Sequence, residues 1–223
     1  MLLDLIREYR QGGDLTLLVV QMLFALLIIF FSLSVHETAH GFIAWKMGDP
    51  TARNLGRLTL NPLKHLDPIG ALCMLVAGFG WAKPVPINPR YFKNPRVGMA
   101  LSAAAGPVSN LIMAMLSVIA IRIIFFFWLA ESIVLELLVV FFSMSATMNI
   151  ALAVFNLLPV PPLDGSRLFY VFLPPKLYFG VMKYERIIYI VVMILLITGV
   201  LSPAITFITR AILNGMLWAV GLN

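Results

Sequence analysis

Between Asp14 and His36 stand 21 residues without a charged side chain. As a helix rising ~1.5 Å per residue, that run is roughly 31 Å long, enough to cross the hydrocarbon of a bilayer. The pattern predicts a first membrane helix from Leu15 to about Met47, ended by Gly48-Asp49-Pro50. Residues 1–14 read as a short amphipathic lead-in closing on Gly12-Gly13-Asp14. From Thr51 to Pro95 turn formers recur at Asn61-Pro62, Asp67-Pro68, Lys83-Pro84 and Asn88-Pro89. Within that stretch Asn54–Leu60 alternates like a strand, and the apolar Ile69–Phe79 is too short to span, which makes it re-entrant or a partial helix. Two further long apolar segments, Val97–Trp128 and Ile133–Phe155, predict a second and a third membrane helix. Beyond the Pro-rich Leu158–Gly165 come a short helix and an apolar span at about Tyr184–Leu201. Ser202-Pro203 then opens a last segment, with the single charge Arg210, that is expected to lie along the interface.

The fold class expected is therefore an all-α polytopic membrane protein. It has a three-helix core, additional helices, and a small β-hairpin or re-entrant region between the first and second core helices. One domain fills residues 1–223: the core spans about 15–175, the re-entrant region about 51–95 and the C-terminal helices about 176–223. Composition agrees, at 61% hydrophobic against 12% charged residues, with a mean hydropathy of +0.97. The net charge of +6 could suggest nucleic acid. Basic residues collected in cytoplasmic loops of a membrane protein explain it more simply, so no nucleic-acid partner is expected. Cys73 is the single cysteine, so neither an internal disulfide nor a cysteine metal site is available. Asp4, Arg7, Glu8 and Arg10 do not form the basic start of a signal peptide, which leaves targeting to the membrane helices.

Basic residues also orient the helices. Lys46, Arg53, Arg57 and Lys64 follow the first helix, and Lys83, Arg90, Lys93 and Arg96 precede the second. Arg167, Lys176, Lys183 and Arg186 follow the third, whereas the connection near 129–132 carries Glu131 and no base. The positive-inside rule places the three basic regions in the cytoplasm and the Glu131 turn outside. The first helix then runs inward, the second outward and the third inward.

At the inner end of the first helix stands His36-Glu37-Thr38-Ala39-His40. Two histidines four residues apart fall on one helix face and can share a zinc ion, with the intervening glutamate placed to accept a proton from water. Gly41–Trp45 follows the motif, which puts it ~9 Å inside the cytoplasmic boundary. A catalytic zinc takes three protein ligands and an open position. His65 is one candidate for the third ligand. Asp164, in Asn156-Leu-Leu-Pro-Val-Pro-Pro-Leu-Asp164-Gly165, is the better one. Pro159, Pro161 and Pro162 unwind the third span there, on the same side of the membrane as the histidines. A carboxylate at that depth needs a partner, and zinc would supply it.

At these positions the chain resembles the site-2 protease family of intramembrane zinc metalloproteases, in its compact bacterial or archaeal form without a PDZ domain. The resemblance covers roughly residues 30–175. It rests on His36–His40 and Asn156–Gly165, with Asn61-Pro62, His65, Asp67-Pro68, Gly70, Gly80–Pro86 and Gly106-Pro107…Asn110 between them. It implies a three-helix catalytic core with one zinc ion per chain held by His36, His40 and Asp164. Glu37 would be the base, and Asn156 matches the family's active-site asparagine. The activity implied is endopeptidase cleavage in or near the transmembrane segment of a membrane protein, in regulated intramembrane proteolysis or in clearance of cut membrane stubs, at a site near the cytoplasmic face.

Simpler roles compete at several positions. Asn156 either caps the exposed carbonyls of the third helix or donates its amide to the substrate or the oxyanion. His65 reads as a structural hydrogen-bonding residue. Asn110 lines the substrate cavity or bridges helices. A helical substrate must become extended to be cut. Pro84 and Pro86 remove donors from one edge of Trp81–Ile87, so the edge carrying Val85 is the expected partner for an unwound substrate. The competing classes are a non-catalytic zinc-binding membrane scaffold and a metal transporter. A transporter should carry more intramembrane carboxylates or histidines along a path than this chain has, and a scaffold has no use for Glu37.

Overall fold

A computed structural model of the chain describes residues 14–70, 73, 82–127, 132–174, 177, 180 and 183–222. Asp14 opens the first helix, its carboxylate accepting from the Thr16 N–H at 2.8 Å. This helix, α1 (Leu15–Lys46), is followed by the four-residue α2 (Thr51–Asn54). Then come α3 (Pro95–Phe127), α4 (Ile133–Asn156), the short α5 (Asp164–Tyr170), α6 (Glu185–Ile197) and α7 (Ser202–Ala219). Three of these, α1, α3 and α4, are long and apolar enough to cross a membrane. The helical membrane class and all three long spans thus match the sequence pattern.

α3 is the central element, packed along both α1 and α4 and touched by α5. Its contacts are made by small residues. Ala100, Ala103 and Ala114 on α3, Ala25 and Ala44 on α1, and Ala146 and Ala153 on α4 are all buried. Large side chains such as Phe31, Ile112, Leu116 and Phe126 face outward. This distribution suits lipid, where apolar surface gains nothing by hiding and close backbone approach supplies the packing energy. Ser117 on α3 and Ser145 on α4 share a hydrogen bond of 2.8 Å across the seam. The C-terminal helix completes the core: Ile205, Ile212, Leu213 and Met216 of α7 pack on Ala114, Ile150 and Val154.

The expected β-hairpin is absent among the described residues. A single antiparallel bridge, Leu66 to Ala82, is the only pairing there. Asn54 ends α2, and residues 55–60 are irregular rather than extended. The cause is that side chains take the main-chain groups a neighbouring strand would need. Arg57 donates to the carbonyls of Lys83 and Pro84 at 2.8 and 3.3 Å, and the Thr59 carbonyl accepts from Thr38 at 2.7 Å and from His65 at 2.8 Å. Prolines at 84 and 86 have no N–H to offer. The re-entrant segment Ile69–Phe79 lies largely outside the described residues, as do the lead-in before Asp14 and the Glu131 turn.

Because Ile150 is fully buried among Ala114, Val154 and the α7 side chains, Ile150→Ala leaves a void at their junction. A loss of about 2–4 kcal/mol is expected, read as a lowered unfolding midpoint in detergent.

Candidate metal centre

α1 carries His36 and His40 one turn apart on its buried face, with 4% and 7% exposure. Their rings lie nearly perpendicular with centroids 4.5 Å apart, so that both Nε2 atoms converge. α4 ends at Asn156, where its helical hydrogen bonds give way to the turns of residues 157–163. That turn aims the chain back at α1 and starts α5 on Asp164. Gly165 permits the return, since a Cβ there would collide with the carbonyls of Leu157 and Leu158. As a result Asp164 Oδ2 stands 3.1 Å from His36 Nε2 and 3.1 Å from His40 Nε2.

The outer nitrogen of each imidazole is also held. His40 Nδ1 donates to the Ser102 carbonyl and His36 Nδ1 pairs with Asn110 Oδ1, both at 2.7 Å and both on α3. α3 comes this close because residue 106 is glycine. A Cβ at Gly106 would lie 2.5 Å from both His36 Nε2 and His40 Nε2. Glu37 sits between the histidines, and its Oε2 accepts from the Val85 N–H at 2.8 Å. Its carboxylate and the two imidazoles present ligand atoms within 4.8 Å of one another.

This donor set fits zinc. Two imidazole nitrogens and one carboxylate oxygen are the ligands of a catalytic site with an open position, and donors held tetrahedrally at ~2.0–2.1 Å are ~3.3 Å apart. The observed separations of 3.1 Å are close to that value. Ligating histidines also usually donate their other N–H to a carbonyl, as the Nδ1 atoms do here.

The search for a third ligand among His65 and Asp164 ends with Asp164 at the pair. His65 is directed elsewhere, its Nε2 donating to the Thr59 carbonyl at 2.8 Å. Asn110 is fully buried, with Oδ1 on His36 and Nδ2 donating to Asn149 Oδ1 at 3.1 Å. Asn156 Nδ2 donates to the Leu152 carbonyl at 2.9 Å, one turn back in its own helix. The Val85 N–H, expected to meet a substrate edge, donates in this structure to Glu37 Oε2, in a segment that is not a strand. Trp81, the first residue of that segment, lies outside the described residues.

Two polar residues in this assembly escape sequence reasoning. Asp49 is fully buried at the end of α1 and accepts from the Asn88 N–H at 2.6 Å, which fastens the 82–88 segment beside the motif helix. Its local use was visible, since Asp49 followed two residues later by Thr51 is a helix-start signature, but the contact with Asn88 was not. Asn149 is fully buried on α4. An amide inside an apolar span always needs a partner, and that was its only signal.

The model of peptidase family M50 matches residues 24–200 of the chain, well over half of it. The chain belongs to peptidase family M50. This M50 protein is 42% identical over 184 residues to YwhC of Bacillus subtilis (strain 168), a protein named as a zinc metalloprotease; the match covers 79% of this chain and 81% of YwhC. It is 30% identical over 176 residues to Rip2 of Mycolicibacterium smegmatis, likewise named, covering 77% of this chain and 65% of that protein. A Rip2 of Mycobacterium tuberculosis is 32% identical over 140 residues, 60% of this chain and 51% of its own length. No solved structure matches the chain. With the resemblance to site-2 proteases established as family membership, the protein is a membrane zinc metalloprotease.

A methyl group at position 106 should displace the imidazoles without harming α3, since alanine favours helix by about 1 kcal/mol over glycine. Gly106→Ala is expected to lower zinc affinity about 10–100-fold, measured by chelator competition on protein of unchanged helical content.

Proposed function

We propose that the protein is an intramembrane endopeptidase that cuts membrane proteins in or near a transmembrane segment. The observation that carries this is the placing of Asp164 within 3.1 Å of both motif histidines, on a helix long and apolar enough to span the bilayer. His36, His40 and Asp164 hold the zinc, and Glu37 is the base. The charge pattern of the loops puts this site near the cytoplasmic face of a multi-pass protein. Its proposed setting is regulated intramembrane proteolysis, with a single-span membrane protein as substrate.

Zinc, when held by His36, His40 and Asp164, would supply a Lewis acid that polarises the scissile carbonyl and eases deprotonation of the attacking water. Glu37 removes the proton from the attacking water and passes it to the leaving amine, a role open to a carboxylate one residue from a ligand. The Val85 N–H, fixed on Oε2, holds the carboxylate in one orientation and leaves the second oxygen for that transfer. Asp49 supports this from behind by anchoring Asn88, three residues further along the same segment. Asn110 orients His36 rather than meeting substrate, both ends of its amide being engaged. Asn156, at the head of the turn that delivers Asp164, is the proposed amide donor to the substrate, exchanging its bond to the Leu152 carbonyl for one to the scissile peptide.

Glu37→Gln keeps the shape of the site and removes the base. Zinc content should stay at the wild-type level while cleavage of a single-span substrate in proteoliposomes falls about 10²–10⁴-fold. Persisting cleavage would exclude Glu37 as base, and cellular function surviving the loss of cleavage would favour a scaffold. Val85→Pro removes the donor to Glu37, so cleavage should drop with zinc retained; equal turnover by this variant would dismiss the orienting role.

A further inference from the structure

The imidazole contacts differ in one respect. His40 Nδ1 meets a main-chain carbonyl, Ser102, which can only accept, so the sense of this bond is set directly and Nδ1 carries the proton. His36 Nδ1 meets a side-chain amide instead, and an amide can present either an acceptor or a donor. Something further away must decide which end of Asn110 faces the histidine.

That decision traces to α4. Asn149 lies within reach of the Ser145 carbonyl one turn back, and a carbonyl requires the amide nitrogen there; the Nδ2 donates to it at 2.9 Å. With Nδ2 so committed, Asn149 Oδ1 must face α3, where it accepts from Asn110 Nδ2 at 3.1 Å. Asn110 is left with Oδ1 toward His36, at 2.7 Å, which compels Nδ1 of the ring to be N–H. That hydrogen bond turns the other nitrogen, Nε2, toward Asp164 Oδ2 at 3.1 Å. Turning either amide over would set oxygen against oxygen in a site where Asn110 and Asn149 are both fully buried and water cannot compensate.

We propose that Asn149 is a positioning residue for the metal site. Through Asn110 it holds an acceptor on His36 Nδ1, and so the orientation of the ring, from the main chain of a helix that contributes nothing to the His-Glu-x-x-His motif. This rests on the reading that His36 binds zinc through Nε2.

The test compares Asn149→Leu, which has similar volume and no polar atom, with Asn149→Asp. Aspartate keeps an acceptor for Asn110 Nδ2, and the Ser145 hydroxyl, 3.5 Å from the present Nδ2, can donate to its second oxygen. Full-length protein labelled with 15N-histidine is saturated with zinc in detergent, and the ring-nitrogen shifts of its three histidines are recorded. Zinc affinity is measured on the same preparations by chelator competition. In Asn149→Leu the His36 Nδ1–H signal should leave its hydrogen-bonded position and zinc affinity should fall about 10–100-fold, while Asn149→Asp keeps the wild-type signal and binds within a few-fold. A residue that merely fills space gives the opposite order, since leucine is the better tolerated of the two in a buried apolar seam. An unchanged His36 Nδ1–H signal in Asn149→Leu overturns the proposal. A moved signal with unchanged zinc affinity overturns the positioning role for the metal site.

Discussion

Two imidazoles, each 3.1 Å from one carboxylate oxygen, on or beside a helix long enough to span a bilayer, form the constraint to which the surrounding structure answers. Lipid offers no water to satisfy the outer nitrogens, so the adjacent helix must bring acceptors to them. α3 does so with the Ser102 carbonyl and the Asn110 side chain, and it can approach only because Gly106 has no side chain. The run of buried alanines and serines along α3 follows from the same requirement. A helix that must press its backbone against a metal site cannot carry bulk on that face.

Asp164 faces a different difficulty. An aspartate cannot be delivered from a regular helix at membrane depth without carrying its neighbours along the same axis. The prolines after Asn156 break α4, and the close packing of Gly165 against the helix end folds the chain back. Asp164 thereby arrives at the start of a new short helix rather than at the end of the old one. The main chain of residues 84–88 obeys comparable economy. Its polar groups are taken by Arg57, Asp49 and Glu37, three side chains that belong to the motif helix or to the stretch beyond it. A segment whose main-chain groups are taken by side chains is not a strand in a ladder.

Polar residues in the spans therefore fall into a hierarchy set by what each can accept or donate. Carbonyls of α3 and α4 have a fixed sense, and the asparagines between them transmit it. Serines 117 and 145 close the far side of the same seam, where a hydroxyl can serve as either partner. Such a network specifies one arrangement of α1, α3 and α4, because any slip of one helix against another would leave several buried groups unpaired.

The local code of the chain was enough to determine the three long spans, their ends, the histidine pair and the break after Asn156. Each depends on periodicity, proline chemistry or spacing within a few residues. Apolar length likewise determined the environment, and the His-Glu-Thr-Ala-His spacing determined that a metal was to be expected. The hairpin was misjudged because alternation in 54–60 records a preference that Thr38, His65 and Arg57 override from elsewhere in the chain. Only the tertiary structure decided that the Val85 N–H serves Glu37, that Asp49 reaches Asn88, and that Asn149 stands behind Asn110. These are contacts between groups 39 or more residues apart. A hydrogen-bond donor in a sequence carries no address for its acceptor, and packing assigns one only when the helices are brought together.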